Sequence, residues 1–241
     1  MNVAVILAGG VGTRLGAGKP KQFVNVLGKP VIVYTIEAFQ RHEEIDAIEI
    51  VCVEPYISYM MELVEIHKLD KVKWVTKGGD DFQGSVLNGI NNLADKCSTD
   101  DVVLVHFGAS PFIEDDIISD AIRVCKKKGN AISTTPFYVL AGIKDDDEKS
   151  STWIDRDTIA CMSSPHAFRY GFIQKLYEDA IISGVINEVE PHTTTLMHKM
   201  GKSIYFSKGS QANVKITTKE DLSLFEGYIL MKQKRGNQSK G

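Results

Sequence analysis

Asn2-Val3-Ala4-Val5-Ile6-Leu7-Ala8-Gly9-Gly10-Val11-Gly12-Thr13-Arg14-Leu15-Gly16-Ala17-Gly18-Lys19-Pro20-Lys21-Gln22 is the stretch on which the reading turns. Its apolar opening is short, has no basic start and runs straight into glycines, which marks a buried strand rather than a signal peptide. An open α/β sheet binds ligands just outside the carboxyl ends of its strands, so the loop that follows falls where a ligand would sit. Glycines there permit positive φ and let backbone N–H groups approach phosphate oxygens, while Arg14, Lys19 and Lys21 add full charges. That chemistry suits a polyphosphate. Two common phosphate motifs do not fit. A dinucleotide fingerprint needs a third glycine where Leu15 stands, and a P-loop needs Ser or Thr where Pro20 follows Gly18-Lys19, with glycine in place of Thr13.

Outward from this loop, short apolar runs alternate with segments of helical period, the pattern of repeated β-α units feeding a mainly parallel sheet. Strands are expected at Val3-Leu7, Ala47-Val53, Val72-Val75, Val102-His106, Ala131-Thr135, Ser203-Ser207 and Val214-Thr217. Helices are expected at Ile32-Gln40, Tyr56-His67, Ser85-Leu93, Asp115-Lys127, Tyr170-Ile182, Thr193-Met200 and Leu222-Met231. Thr218-Lys219-Glu220-Asp221 is a capping box ahead of the last of these, and Glu114, Asp115 and Asp116 suit the positive end of the fourth. The segment 137–160 breaks the rhythm. Its charged run Lys144-Asp145-Asp146-Asp147-Glu148-Lys149 between apolar flanks reads as a hairpin arm with a solvated tip. The polar residues 232–241 are expected to fray as a flexible tail.

The 241 residues, 43% of them hydrophobic, suffice for one large core. The formal charge of −3 supplies no global cationic field for nucleic acid or anionic membrane, so any anion site must be local. No apolar run reaches the roughly 18 residues that span a bilayer, and a cytoplasmic protein is expected. Cys52, Cys97, Cys125 and Cys161 lack paired C-x-x-C spacing and read as small buried hydrophobes in a reducing compartment.

The pattern L-A-G-G-x-G-T-R-x-G followed by K-P-K-Q resembles the signature loop of the sugar-phosphate nucleotidyltransferases. More narrowly, the chain resembles the cytidylyltransferases that make CDP-linked polyols from 2-C-methyl-D-erythritol 4-phosphate or ribitol 5-phosphate. Gly78-Gly79-Asp80 with Ser85-Val86 resembles the segment contacting cytosine and ribose, and Val103-Leu104-Val105-His106 leads into a turn like that family's active-site turn. Ile154-Asp155-Arg156 resembles the arm's end, and Ser164-Pro165-His166-Ala167-Phe168 its T-P-Q-x-F segment. Asn213-Val214-Lys215-Ile216-Thr217, with Asp221-Leu222, is similar to its N-(I/V)-K-(I/V)-T…D-L motif. The likeness covers roughly residues 1–231 as one nucleotidyltransferase domain with the arm inserted.

The resemblance implies a single Rossmann-like three-layer α/β domain with a mainly parallel sheet and a protruding β-arm. It implies CMP transfer from CTP to a polyol or sugar phosphate, with pyrophosphate released and Mg²⁺ bridging triphosphate oxygens. Catalysis would fall to Arg14, Lys21 and Lys215. Leu7, Ala8, Gly9, Gly10, Gly79, Asp80, Ser85 and Gly108 would hold the nucleotide. Arg156 would reach the acceptor phosphate from the arm of a second subunit, which implies a homodimer.

The family's active-site turn reads H-D-(A/S)-x-R-P-F, whereas this chain has His106-Phe107-Gly108-Ala109-Ser110-Pro111-Phe112. An acid has become Phe107 and a cation Ser110. Leu140 stands near the family's arm threonine, and His192 near an acid of its T-D-(D/E) segment. All four departures lie toward the acceptor, so two readings follow. In one the enzyme is active on a different polyol or sugar phosphate, with Ser110, His192 or Thr193-Thr194-Thr195 supplying contacts. In the other it is a catalytically impaired nucleotide-binding homologue with a regulatory or scaffolding role. Each residue also has a plainer role: Lys215 as an exposed strand-end lysine, His192 as a capping or surface residue, His106 as a hydrogen-bonded structural one.

Overall fold

A computed structural model describes residues 1–10 and 18–238, with side chains described up to Arg235. Its elements are β1 (Asn2–Ala8), a small hairpin of β2 (Asn25–Val26) and β3 (Lys29–Pro30), α1 (Val31–Arg41), β4 (Ala47–Cys52), α2 (Ile57–Ile66), β5 (Val72–Lys77), α3 (Phe82–Asn92), β6 (Val102–Phe107), α4 (Asp115–Lys128) and β7 (Asn130–Pro136). Then come the arm strands β8 (Gly142–Ile143) and β9 (Thr152–Trp153), β10 (Ala160–Arg169), α5 (Tyr170–Ile182), α6 (Thr193–Lys199), β11 (Phe206–Lys208) and α7 (Lys219–Gln238).

Seven strands form one sheet in the order β11-β7-β10-β6-β1-β4-β5, in which β10 alone runs antiparallel to its neighbours. Side chains of a strand alternate between faces, and β1 divides accordingly. Ala4, Ile6 and Ala8 pack with α1, α2 and α4 on one side, whereas Val3, Val5 and Leu7 pack with α3, α5 and α6 on the other. The mainly parallel sheet expected from the alternating pattern is therefore present, in the three-layer α/β arrangement that the resemblance implied. A smaller cluster of Val26, Val31, Phe112, Ile216 and Phe225 holds α7 against the β2–β3 hairpin.

Helix ends follow local chemistry. Asp221 accepts from the Thr217 and Thr218 N–H groups at 2.7 and 2.8 Å, while the Thr218 hydroxyl accepts from the Asp221 N–H at 3.2 Å. This is the expected capping box. Helix α4 has Asp115 and Asp116 in its first turn and ends at Gly129 with φ 92°, a left-handed C-cap that favours glycine. The arm hairpin leaves the body where it was expected, between β7 and β10, with Leu140 85% and Trp153 74% exposed.

Three expectations are corrected. Val214–Thr217 is not a strand: the Val214 N–H bonds to the Ala212 carbonyl and Ile216 to Ala109, so no ladder forms. Ala160–Arg169, for which no strand was expected, is the antiparallel strand at the middle of the sheet's longer wing, with Pro165 at the register shift between Ser163 and His166. Of residues 232–241, expected as a flexible tail, 232–238 continue α7 and 239–241 lie outside the described residues. Lys232 is fixed 2.7 Å from Glu114, which also accepts from the Tyr228 hydroxyl. All four cysteines are free, and burial pushes the Cys52 and Cys125 thiols up to about 12. Among the described residues no helix is long and apolar enough to cross a membrane.

Glu49 sits in β4 beneath α3, fully buried, and one of its carboxylate oxygens accepts from Thr76 and Asn92 at 2.7 and 2.9 Å. The other has no hydrogen-bond partner among the described residues, and burial raises the carboxyl from 4.5 to about 7 despite those donors. A raised native pKa means that the contribution is fully present below pH 4.5 and is lost as pH climbs through 7, by on the order of 3 kcal/mol. Glu49→Gln is therefore expected to match the parent in urea unfolding at pH 4 and to exceed it at pH 8.5. A stability difference independent of pH would contradict this.

Candidate active site

Strand β1 is flanked by β4 on one side and β6 on the other, so the chain leaves it in both directions and opens a crevice at the strands' carboxyl ends. A cavity of about 340 Å³ lies there. Leu7, Gly9 and Gly10 line it from β1, Phe107 and Ala109 from β6, and Gly79, Asp80, Asp81, Phe82 and Ser85 from the start of α3. Lys21, Gln22, Lys215 and Thr217 complete the wall.

Each group is set by its own local ties. The Gln22 amide donates to the carbonyls of Ala8 at 2.8 Å and Gly10 at 2.9 Å, closing the loop's two ends against each other. Next to it Phe23 is fully buried and stacks on Tyr56 with ring centroids 4.8 Å apart, so the short turn Lys21–Phe23 presents Lys21 from a rigid base. Asp81 caps α3 by accepting from the Gly84 N–H at 2.7 Å, and the Ser85 hydroxyl accepts from the Gly79 N–H at 3.1 Å. Lys215 arrives from the far end of the chain. Its neighbour Ile216 is fully buried and bonds to the Ala109 carbonyl at 2.8 Å, and Asn213 donates to the Ser164 carbonyl at 2.6 Å. Asp221, whose burial is outweighed by the Thr218 and Thr217 donors and by Lys21, is held below the usual carboxylate range.

Of the residues expected from sequence, the cavity gathers Leu7, Gly9, Gly10, Lys21, Gly79, Asp80, Ser85 and Lys215. Arg14 lies outside the described residues. Ala8, Gly108 and Ser110 are not on the wall. The Ala8 carbonyl is taken by Gln22 and the Val53 N–H. The Gly108 N–H donates to the Leu7 carbonyl and its carbonyl accepts from the Thr35 hydroxyl, so its one backbone donor is already used. Ser110 is buried, with its backbone carbonyl 2.9 Å from the His106 ring nitrogen. His106 is the structural residue expected, and burial drives it down to about 4. His192 stands behind the wall, its ring 4.9 Å from that of Phe82. Arg156 is away from this cleft, at the base of the arm in a second cavity of about 490 Å³, where it donates to the Tyr138 carbonyl.

Gln22, Asp81, Phe82, Phe107, Ala109 and Thr217 line the cavity without having been assigned to it as site residues. Gln22 and Thr217 fell within motifs already quoted, but their roles depend on carbonyls and caps that only the folded chain supplies.

A sequence model of the 2-C-methyl-D-erythritol 4-phosphate cytidylyltransferases (IspD) matches residues 2–231. The chain belongs to that family. A ribitol-5-phosphate cytidylyltransferase of Lacticaseibacillus paracasei is 38% identical over 233 residues, covering 97% of this chain and all of the relative. A 2-C-methyl-D-erythritol 4-phosphate cytidylyltransferase of Clostridium acetobutylicum is 37% identical over 230 residues, 95% of this chain and 97% of the relative. The crystal structure of 4-diphosphocytidyl-2C-methyl-D-erythritol synthase from Anaerococcus prevotii superposes with a TM-score of 0.80 at 24% identity, over 95% of this chain and 98% of that one. It shares the fold. As a member of the IspD family the chain is a nucleotidyltransferase enzyme.

Gly79 has no room for a side chain: a Cβ there would lie 2.4 Å from the Gly84 carbonyl carbon, backbone that cannot swing aside. Gly79→Ala is expected to displace the turn and weaken CTP binding by roughly tenfold or more in calorimetry, since a turn residue positions the adjoining wall. Unchanged affinity would show that this turn does not contact the nucleotide.

Proposed function

We propose that this enzyme transfers CMP from CTP to a polyol phosphate of the ribitol 5-phosphate type, releasing pyrophosphate and leaving a CDP-linked polyol. Methylerythritol 4-phosphate is the second candidate acceptor. One observation carries the reading: two cations from opposite ends of the chain, Lys21 and Lys215, share one cleft with Gly9 and Gly10 at the sheet's switch point. The more similar curated relatives that act on ribitol 5-phosphate favour that acceptor.

In the reaction a monoester oxygen of the acceptor forms a bond to the α-phosphorus as the bond to the β-phosphate oxygen breaks. No base is needed, because a phosphate monoester with a second pKa of about 6 is already largely ionised. The protein's work is to hold two anions together and to offset charge spread over the phosphoryl oxygens. Gly9 and Gly10 would face the triphosphate, with Arg14 and Lys21 on the α-phosphate and pyrophosphate and Lys215 approaching the same phosphorus. Gly79, Asp80 and Ser85 would take the nucleoside.

Among the described residues no three His, Cys, Asp or Glu side chains converge as a metal cage. Of the carboxylates on the cavity wall, Asp80 is assigned to the nucleoside and Asp81 caps α3, so Mg²⁺ would be held by the substrate phosphates themselves. The ion would neutralise triphosphate charge.

The exposed apolar residues Tyr138, Val139, Leu140, Ile143 and Trp153 on the arm support a homodimer, with Arg156 delivered to the partner's acceptor site. The cytoplasm, where CTP is made and thiols stay reduced, is the expected compartment.

With CTP, pyrophosphate release is expected from ribitol 5-phosphate in preference to methylerythritol 4-phosphate and glycerol 3-phosphate. Lys21→Ala is expected to lower kcat by about a hundredfold while leaving the melting temperature unchanged. Retained activity in that variant would remove Lys21 from the chemistry, and absence of turnover with every acceptor would favour the impaired homologue. For the arm, light scattering is expected to show a dimer that Trp153→Glu converts to monomer; a monomeric parent would refute the shared site.

A further inference from the structure

The acid of the family's active-site turn is Phe107 here, and the folded chain gives that ring a use. The Lys215 ammonium nitrogen lies 3.8 Å from the centroid of the Phe107 ring, well inside the roughly 6 Å range of a cation–π contact. We propose that Phe107 is a positioning residue that seats Lys215 at the cleft. The functional half of this proposal rests on the assignment of Lys215 to the transferred phosphate.

Two sets of constraints bring the pair together. The backbone on either side of Lys215 is anchored by Asn213 on Ser164, by buried Ile216 on Ala109, and by Thr217 and Thr218 on Asp221. These anchors fix the Cα, and the four-carbon stem has rotamers of its own beyond them. Phe107 is the last residue of β6, paired in register with Leu7, and its ring is braced by Phe82 at 5.6 Å and by the edge-on ring of His166 at 6.3 Å. The platform is thus held by the strand and by neighbours on two elements, and its face meets the ammonium group at the end of the stem.

The ring differs from a carboxylate in what it does to charge. An acid would bring a compensating negative charge to Lys215. An aromatic face attracts the ammonium through its quadrupole and adds no net charge, so the site's field toward an anion is kept. The support beneath the ring is compatible with this. Burial, followed by the charges of His106, His192 and Lys215, pushes His166 down to about 3, so a neutral imidazole underlies a platform bearing a cation.

The test has a spectroscopic and a kinetic arm. In protein carrying ¹³C-labelled lysine, the Lys215 ε-protons, assigned by their loss in Lys215→Met, are expected to resonate upfield of ordinary lysines through the ring current. Phe107→Leu should return them to the ordinary position, and Phe107→Tyr should keep them shifted. An unshifted signal in the parent overturns the proposal whatever the acceptor proves to be. In turnover, Phe107→Leu is expected to lower kcat about 3- to 10-fold with the KM for CTP little changed, Phe107→Tyr to recover most of it, and Phe107→Leu to add nothing in a Lys215→Ala background. Full activity in Phe107→Leu, or an undiminished loss in the Lys215→Ala background, overturns the positioning role. A shifted signal without turnover on any acceptor supports the seating and refutes only the catalytic assignment.

Discussion

The divergence of β4 and β6 to opposite sides of β1 is the constraint on which the site depends. Backbone polar groups leaving the sheet at that point must find partners or a ligand. The chain meets most of that demand internally. Gln22 takes two carbonyls of the first loop, Val53 shares one of them, and Gly108 closes onto Leu7 and Thr35. What remains open is a crevice bordered by Gly9, Gly10 and two lysines, a suitable surface for polyphosphate on a protein whose overall charge is slightly negative.

Most of the sheet was legible because its parallel strands are buried on both faces and read as continuous apolar runs between amphipathic helices. The exception is β10. Its central Ser163-Ser164-Pro165 carries neither an apolar run nor a clean alternation, and its strand status comes from pairing with β6 and β7. Val214–Thr217 misleads in the opposite sense. Its β-branched residues suit a strand, but Ile216 is drawn into the cluster under α7 and its backbone bonds to Ala109. The end of α7 is likewise decided at long range, by Glu114 holding Lys232 and Tyr228, which no local pattern announces.

At the site, the legible part was whatever a motif carries as side-chain chemistry: Lys21, Lys215, and the glycines with Asp80 and Ser85. The illegible part was direction. Gly108 and Ser110 belong to the turn beside the crevice but do not line it, and the Gly108 N–H and the two carbonyls are held by Leu7, Thr35 and His106. Phe107 looked like the loss of a carboxylate. Folded, it supports a cation, and the departure from the family pattern becomes a change in how Lys215 is held.

A crystal structure of the protein with CTP and Mg²⁺ tests the central claim most directly. The account predicts the triphosphate against Gly9 and Gly10, with the Lys21 and Lys215 ammonium groups within hydrogen-bond distance of its oxygens and the nucleoside beside Gly79 and Ser85. A triphosphate bound elsewhere, or both lysines turned away from it, would contradict the account.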